Sequence, residues 1–211
     1  MTPFTRLHGP AAPLMLANVD TDVIIRIERL ATLARDQLGP YALEALRFDA
    51  DGSEAPGFVL NQPPFRNAPI LLAGENFGCG SSREAAVWAL MDIGIRCVIA
   101  PSFGDIFFNN CFQNGMLPIR LDAPRLQALA AAAATGAPVG VDLAACVIEP
   151  PHGEAIPFTV DVQRREGLLL GLDDIQLTLR ERADILDWQQ QDRRLRPWAW
   201  PASDPPPGPQ A

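Results

Sequence analysis

Lysine is absent from the sequence, and all 17 basic residues are arginine. A chain without lysine cannot form a Schiff base with a carbonyl substrate. It also cannot use the P-loop mechanism, in which a lysine binds the phosphates. Basic residues are outnumbered as well, since 25 acidic residues give a net charge of −8. This balance argues against nucleic acid and against an anionic membrane surface as binding partners.

Cysteine and histidine are scarce, and neither forms a metal-binding pattern. The two histidines, His8 and His152, lie far apart in sequence. The four cysteines are widely spaced and include no C-x-x-C pair: Cys79, Cys97, Cys111 and Cys146. The chain alone is therefore a poor host for zinc or an iron–sulfur cluster. Four cysteines are also too few for a secreted disulfide scaffold.

Long apolar runs are missing too. The first apolar run, residues 14–17, is too short for a signal peptide, and no run reaches the roughly 18 residues that a membrane helix needs. We therefore expect a soluble protein of the reducing cytoplasm.

The middle of the chain has the clearest organisation. A buried strand, a glycine-rich turn and a helix are followed by a second strand, a second helix and a third strand. The predicted ranges are 70–73, 74–82, 83–93, 97–100, 103–114 and 117–119. Such an alternation is typical of β-α-β units with parallel strands and right-handed crossovers.

The flanking segments are less regular. Residues 14–25 are interpreted as a strand, an Asx-rich turn, and then a second strand or a helix start. Strands are predicted at 139–147 and 156–162 around a hairpin-like turn, and helices at 123–134, 163–171 and 181–191. The proline-rich residues 197–211 are predicted to be extended or disordered.

The glycine-rich turn carries the residues best suited to chemistry. Gly78 and Gly80 allow a ligand to approach the main chain, and the following helix start offers unpaired N–H groups that favour an anion. Ser81 and Ser82 add hydroxyl groups, and Arg83 adds a planar group that binds carboxylates with two hydrogen bonds. Together these residues predict a carboxylate-binding cradle with one hydroxyl in position to react.

Simpler interpretations of the same residues remain open. Ser81 is equally suited to cap the helix, and Arg83 to pair with a structural acid such as Glu75. Cys79 at a helix N-terminus is a candidate thiolate nucleophile, although neither histidine is near it in sequence. A dinucleotide-binding fingerprint is excluded because Arg83 stands where the third glycine is required.

Four segments in this order resemble one known family. Residues 18–25 are NVDTDVII, 78–84 are GCGSSRE, 100–107 are APSFGDIF and 109–118 are NNCFQNGMLP. They closely resemble the small subunits of 3-isopropylmalate dehydratases, which form the swivelling domain of the aconitase superfamily. The resemblance extends from about residue 5 to about residue 190. It implies an α/β fold, a three-layer β/β/α swivelling domain over residues 1–196, followed by the tail 197–211.

The resemblance also implies an activity that needs a partner. The expected reaction is the interconversion of 2-isopropylmalate and 3-isopropylmalate by dehydration and rehydration, a step of leucine biosynthesis. A separate large subunit would carry a 4Fe–4S cluster and join this chain in a heterodimer or heterotetramer. The small subunit alone would be inactive, because the cluster iron supplies the Lewis acid.

Site residues follow from the same motifs. By motif match, Ser81 would remove the α-proton of the substrate and Arg83 would bind a substrate carboxylate. Ser82 and Gly80 would help to hold that carboxylate, and Asp22 matches an active-site acid of the superfamily.

The sequence departs from the family pattern where substrate recognition is expected. Arg26 and Arg29 stand in place of the usual proline and aromatic residue, and both are therefore candidate substrate-binding residues. Gly74 and Ala85 replace a usual arginine and histidine. An arginine in the pocket wall disfavours the apolar group of isopropylmalate. The alternatives are another small 2-hydroxy acid (methylmalate, homoaconitate or malate) or a carboxylate-binding module without catalysis.

Purified alone, the chain is expected to be colourless and to bind no iron–sulfur cluster, because its cysteines are widely separated. Iron and sulfide analysis after anaerobic reconstitution checks this. A brown chain carrying stoichiometric iron would refute it.

Overall fold

The computed structural model describes residues 1–80 and 83–201. The chain divides into two compact units, Met1–Asp173 and Asp174–Ala211. The expected boundary between residues 196 and 197 thus lies inside the second unit. Ser81, Ser82 and residues 202–211 lie outside the described residues.

One seven-stranded sheet organises the first unit, in the order β4-β3-β2-β1-β5-β6-β7. Strands β1 to β4 are mutually parallel, whereas β5 to β7 continue the sheet in antiparallel pairs. The strands are β1 (Arg6–Leu14), β2 (Ile70–Ala73), β3 (Cys97–Ala100), β4 (Leu117–Arg120), β5 (Pro138–Asp142), β6 (Val147–Glu149) and β7 (Ile156–Pro157). The predicted parallel β-α-β core is therefore confirmed.

The central strand, β1, is the element that the sequence did not indicate. Its residues include Gly9, Pro10 and Pro13, which are depleted in strand interiors. In the structure, residues 6–10 pair with β5 and residues 11–14 pair with β2. Each half therefore hydrogen-bonds to one neighbour only, which leaves positions where a residue without an N–H breaks no ladder bond. As a result, β1 joins the parallel and antiparallel parts in one sheet.

Helices cover the sheet and match most of the predicted ranges. In the first unit they are α1 (Thr21–Ile24), α2 (Ile27–Leu30), α3 (Glu44–Arg47), α4 (Ala85–Asp92), α5 (Asp105–Asn114), α6 (Ala123–Ala133) and α7 (Val162–Leu170). The second unit holds α8 (Asp174–Arg180), which the sequence did not predict, and α9 (Arg182–Leu195). Residues 14–25 resolve into the end of β1, a turn and the short helix α1.

Hydrophobic cores lie on both faces of the sheet. Along β2, Leu71 and Ala73 belong to one core, and Ile70 and Leu72 belong to the other. The first core is completed by α4, α5 and the long segment 24–68, and the second by α6, α7 and the antiparallel strands. A sheet buried on both faces requires the nearly continuous apolar strands that the sequence shows.

The prediction of one continuous strand over residues 139–147 was wrong. The segment is broken into β5 and β6 by a turn in which Asp142 accepts a hydrogen bond from the Ala145 N–H at 2.7 Å, and Cys146 has a positive φ of 54°. The predicted hairpin character is confirmed, because β5, β6 and β7 are successive antiparallel neighbours.

In the second unit, the start of the proline-rich tail is folded rather than extended. Pro197–Ala199 forms a 3₁₀ turn, after which the Trp200 indole donates a hydrogen bond to Asp192 at 2.9 Å. Asp192 is buried and also accepts from the Arg196 guanidinium at 2.7 Å. A buried carboxylate requires such partners, so the tail packs on α9 as far as Trp200.

Within residues 1–80 and 83–201, no helix has the length and apolar character required to cross a bilayer.

Gly78→Ala is expected to destabilise the fold more than Gly94→Ala. Both glycines have positive φ, 70° and 94°, so both substitutions strain the backbone. A Cβ at Gly78 would overlap the Phe107 ring, whereas a Cβ at Gly94 would meet open space. The overlap should cost an additional ~1–3 kcal/mol in the free energy of unfolding, measured by urea denaturation. Equal losses for the two variants would show that Phe107 moves aside freely.

Candidate active site

Three loops meet at the carboxyl edge of the parallel strands. The loop after β2 binds the loop after β1 through four backbone hydrogen bonds, of which two flank the paired glycines: Gly78 N–H to Val19 O (2.7 Å) and Thr21 N–H to Cys79 O (2.9 Å). It binds the loop after β3 through the Phe77 N–H, which donates to Ser102 O at 3.1 Å. The parallel pairing thus continues past the strand ends, which fixes the glycine-rich turn on both sides.

Two asparagines stabilise the sharp bends in these loops. Asn18 and Asn76 both adopt left-handed backbone conformations, with φ of 56° and 57°. The Asn76 side-chain amide donates to Asn18 Oδ1 at 2.8 Å, and the Asn76 backbone N–H donates to Ser102 Oγ at 2.8 Å. Asparagine tolerates this conformation better than most residues. These contacts show that Asn18, in the predicted Asx-rich turn, has a structural role.

The two acidic residues of the DTD motif have different roles. Asp20 caps α1, because its Oδ1 accepts a hydrogen bond from the Val23 N–H at 2.7 Å. Asp22 lies in the first turn of α1, and its side chain is half exposed. Its carboxylate forms a close ion pair with the Arg83 guanidinium. The structure therefore brings together two of the predicted site residues.

Arg83 pairs with Asp22 rather than with Glu75, the structural partner considered from sequence. Its side chain is 17% exposed, so the guanidinium is largely withdrawn from water while its partner faces solvent. Ser81 and Ser82 lie outside the described residues, and Gly80 and Arg83 are the described residues on either side of them.

A cavity of about 420 Å³ adjoins this ion pair. Asp20, Asp22 and Arg26 contribute to its lining, with Ile27 and Ala45 as apolar wall. The Arg26 side chain is 56% exposed and approaches Glu44 Oε1 with its Nε at 3.3 Å. The structure thus places a predicted substrate-binding arginine and the predicted acid around one cavity.

Arg29 is held more tightly than Arg26. Its guanidinium binds Glu44 with Nη2–Oε2 and Nε–Oε2 distances of 2.9 and 3.2 Å, and it lies 4.0 Å above the Tyr41 ring centroid. The Glu44 hydrogen bond raises the pKa of Arg29. Both arginines and Glu44 also line a second cavity of about 650 Å³. Sequence patterns gave no signal for Glu44, since it lies 15 residues beyond Arg29.

Metal-binding groups are not assembled in this chain as described. Across residues 1–80 and 83–201, no three His, Cys, Asp or Glu side chains are placed to hold a metal ion. Cys97 and Cys111 are fully buried, and burial raises the pKa of both thiols, so they stay protonated. Cys97 and Cys111 are therefore not part of an assembled donor set among residues 1–80 and 83–201.

Within the part of the chain that the structure describes, the thiolate alternative for Cys79 gains no histidine partner. Cys79 is half-buried, and its backbone oxygen is occupied by Thr21. His8 lies near the start of β1, opposite Gly140, and His152 lies in the turn between β6 and β7. Neither histidine is therefore in the loops that form this edge.

Comparison with known proteins places this arrangement in one family. Residues 1–124 match the model of the aconitase C-terminal domain. The 3-isopropylmalate dehydratase small subunit of Rhodospirillum centenum is 57% identical over 201 residues, covering 94% of this chain and 99% of that protein. The small subunit of Dinoroseobacter shibae is 52% identical over 200 residues, covering 94% and 100%.

A solved structure agrees with the sequence relatives. The crystal structure of a 3-isopropylmalate dehydratase from Methanocaldococcus jannaschii matches with a TM-score of 0.62 and 27% identity, covering 87% of this chain and 99% of that one. The α/β fold predicted from sequence is therefore confirmed. Because relatives of more than 50% identity span almost its whole length, the chain belongs to the 3-isopropylmalate dehydratase small-subunit family of the aconitase superfamily.

Proposed function

We propose that this chain supplies the proton-transferring and carboxylate-binding half of a hydro-lyase that interconverts 2-isopropylmalate and 3-isopropylmalate. The observation that supports this most is the Arg83–Asp22 ion pair at the end of the glycine-rich segment. It holds a largely buried guanidinium on a residue that follows Ser81 by two positions in the sequence. Family membership supplies the reaction class, and these residues supply the chemistry.

In this proposal Ser81 removes the α-proton of the substrate. A serine hydroxyl is a weak base, and it acts only if its alkoxide form is stabilised. The neighbouring guanidinium of Arg83 and the N–H groups at the start of α4 are suited to that role, since they are fixed before the substrate arrives. Ser82 and Gly80 would complete the carboxylate cradle with a hydroxyl and an accessible backbone N–H.

Asp22 has two effects on Arg83 in this scheme. The ion pair fixes the guanidinium plane, which favours two-pronged binding of a substrate carboxylate by the remaining N–H groups. It also offsets part of the positive charge, so that the carboxylate is not held too tightly for release. Because Asp22 is half exposed, it also lies where an incoming substrate would meet it.

The reaction requires the large subunit that the small-subunit relatives imply. We propose a heterodimer or heterotetramer in which the large subunit carries the 4Fe–4S cluster. This fits the lack of a suitable donor set among the described residues here. The cluster would supply Lewis acidity toward the leaving hydroxyl, and none of the steps assigned to this chain depends on its geometry.

A second substrate class is worth testing because of Arg26. An exposed guanidinium on the cavity next to Asp22 favours a smaller or more anionic 2-hydroxy acid than isopropylmalate. Methylmalate, homoaconitate and malate are the candidates.

Co-expression with the large subunit and anaerobic reconstitution test the proposed function. Turnover of 2-isopropylmalate, followed by absorbance of the unsaturated intermediate, is the expected result. A loaded complex that turns over none of the four hydroxy acids would instead favour a non-catalytic carboxylate-binding module.

Ser81→Ala is expected to lower kcat by at least ~100-fold while the subunits still assemble, because the proton-abstracting group is lost. Ser53→Ala is the matched control, since Ser53 Oγ bonds only its neighbour Asp51 in an exposed turn. Steady-state rates of the reconstituted complexes, at equal iron content, measure the effect. A near wild-type rate for Ser81→Ala would reject the assignment.

Arg26→Ala is expected to change the ranking of substrates more than Arg29→Ala. Arg26 lines the cavity beside Asp22 and has one loose contact to Glu44, whereas Arg29 is occupied by Glu44 and Tyr41. Removing the Arg26 charge should raise kcat/KM for isopropylmalate relative to malate by about tenfold, corresponding to ~1–3 kcal/mol for an apolar pocket wall. If neither substitution alters the ranking, both arginines lie outside substrate recognition.

A further inference from the structure

A buried amide links the start of α4 to the end of α5 close to the proposed catalytic segment. Asn114, the last residue of α5, is only 7% exposed. Its Oδ1 accepts hydrogen bonds from the Arg35 guanidinium (3.0 Å) and the Trp88 indole (2.9 Å). Its Nδ2 donates to Glu84 Oε1 (2.8 Å) and to the Asn110 carbonyl (2.9 Å).

These four bonds use the full capacity of the amide. An asparagine side chain accepts two hydrogen bonds at its oxygen and donates two from its nitrogen. Both donors lie on the oxygen side of Asn114 and both acceptors lie on its nitrogen side. Reversing the amide would therefore break all four bonds and bury unsatisfied groups. The side chain consequently has a single favourable orientation.

The partners of Asn114 come from three parts of the first unit. Glu84 directly follows Arg83 and precedes α4, and Trp88 lies one turn further along that helix. Arg35 follows the segment that contains Arg26 and Arg29. Its guanidinium lies 4.6 Å from the Trp88 ring centroid. One buried side chain thus holds Glu84, the residue directly after Arg83, against α5.

We infer that Asn114 is a positioning residue for the proposed catalytic segment, acting through Glu84. This inference rests on the proposed function, since it assigns the effect to the step that Ser81 performs. Arg83 has its own anchor in Asp22. Asn114 therefore acts through Glu84 and leaves the Arg83–Asp22 ion pair in place, so loss of its bond should lower kcat more than it weakens binding of the substrate carboxylate.

Asn114→Asp tests the inference with almost no change of shape. The carboxylate still accepts from Arg35 and Trp88, but its second oxygen now faces the Glu84 carboxylate. In the holoenzyme we expect kcat, per assembled complex, to fall by at least about tenfold, while KM changes by less than threefold. Gln113→Glu makes the same chemical change at the neighbouring exposed position of α5 and should behave as the wild type.

Rescue by a second substitution separates positioning from stability. In the double variant Asn114→Asp/Glu84→Gln, the new amide at position 84 can donate to the new carboxylate at position 114, which restores the link in the opposite sense. Most of the lost kcat should return, whereas the contact with the Asn110 carbonyl stays unfavourable in both variants. Glu84→Gln alone keeps an acceptor for Asn114, so its kcat should fall by less than threefold.

The outcomes are distinct. A lowered kcat that the second substitution restores supports the inference. A wild-type kcat in Asn114→Asp, or a loss that the second substitution does not relieve, overturns it and leaves the proposed function standing. A wild-type holoenzyme that turns over no hydroxy acid overturns the proposed function and this inference with it.

Discussion

The backbone pairing that continues beyond the strand ends is the constraint on which the site depends. Bonds from Gly78 to Val19 and from Thr21 to Cys79 hold the loops after β1 and β2 side by side. Without them, Asp22 and Arg83, which are 61 residues apart, would have no reason to meet. The pairing in turn requires β1 and β2 to be adjacent and parallel, so the sheet order determines which residues share the edge.

The sequence predicted this edge better than it predicted the sheet. The turn after residues 70–73 and the helix that follows were evident because buried strands, paired glycines and helical spacing are local signals. The central position of β1 was not evident, because Gly9, Pro10 and Pro13 contradict a strand locally and are tolerated only through the division of its pairing between two neighbours. That division is a property of the assembled sheet.

The residues around the candidate site show the same difference between local sequence signals and long-range contacts. Asp22 and Arg83 were predicted from motif matches and Arg26 from a departure from the motif, and the structure places Asp22 against Arg83 and on one cavity with Arg26. The contacts of Glu44 and Asn114 were not predicted, since the partners of each are distant in sequence. Glu44 reaches its arginines because the Leu43 N–H donates to the Ile24 carbonyl at 2.8 Å, which fixes α3 beside α1. The spacing of residues within one segment of the chain cannot predict such a long-range contact.

Glu44 and Asn114 show how the arginine side chains in this part of the first unit are paired with acceptors. Every basic side chain here is an arginine, and a guanidinium presents several donors in a fixed plane, so acceptors in that plane hold it in one orientation. Glu44 supplies them for Arg26 and Arg29, Asp22 for Arg83, and the Asn114 amide for Arg35. Glu44 and Asp22 are charged, whereas Asn114 is neutral and can therefore also donate toward Glu84. A carboxylate at position 114 would satisfy Arg35 equally well but would repel Glu84, so the neutral amide is the side chain that joins both sides of this network.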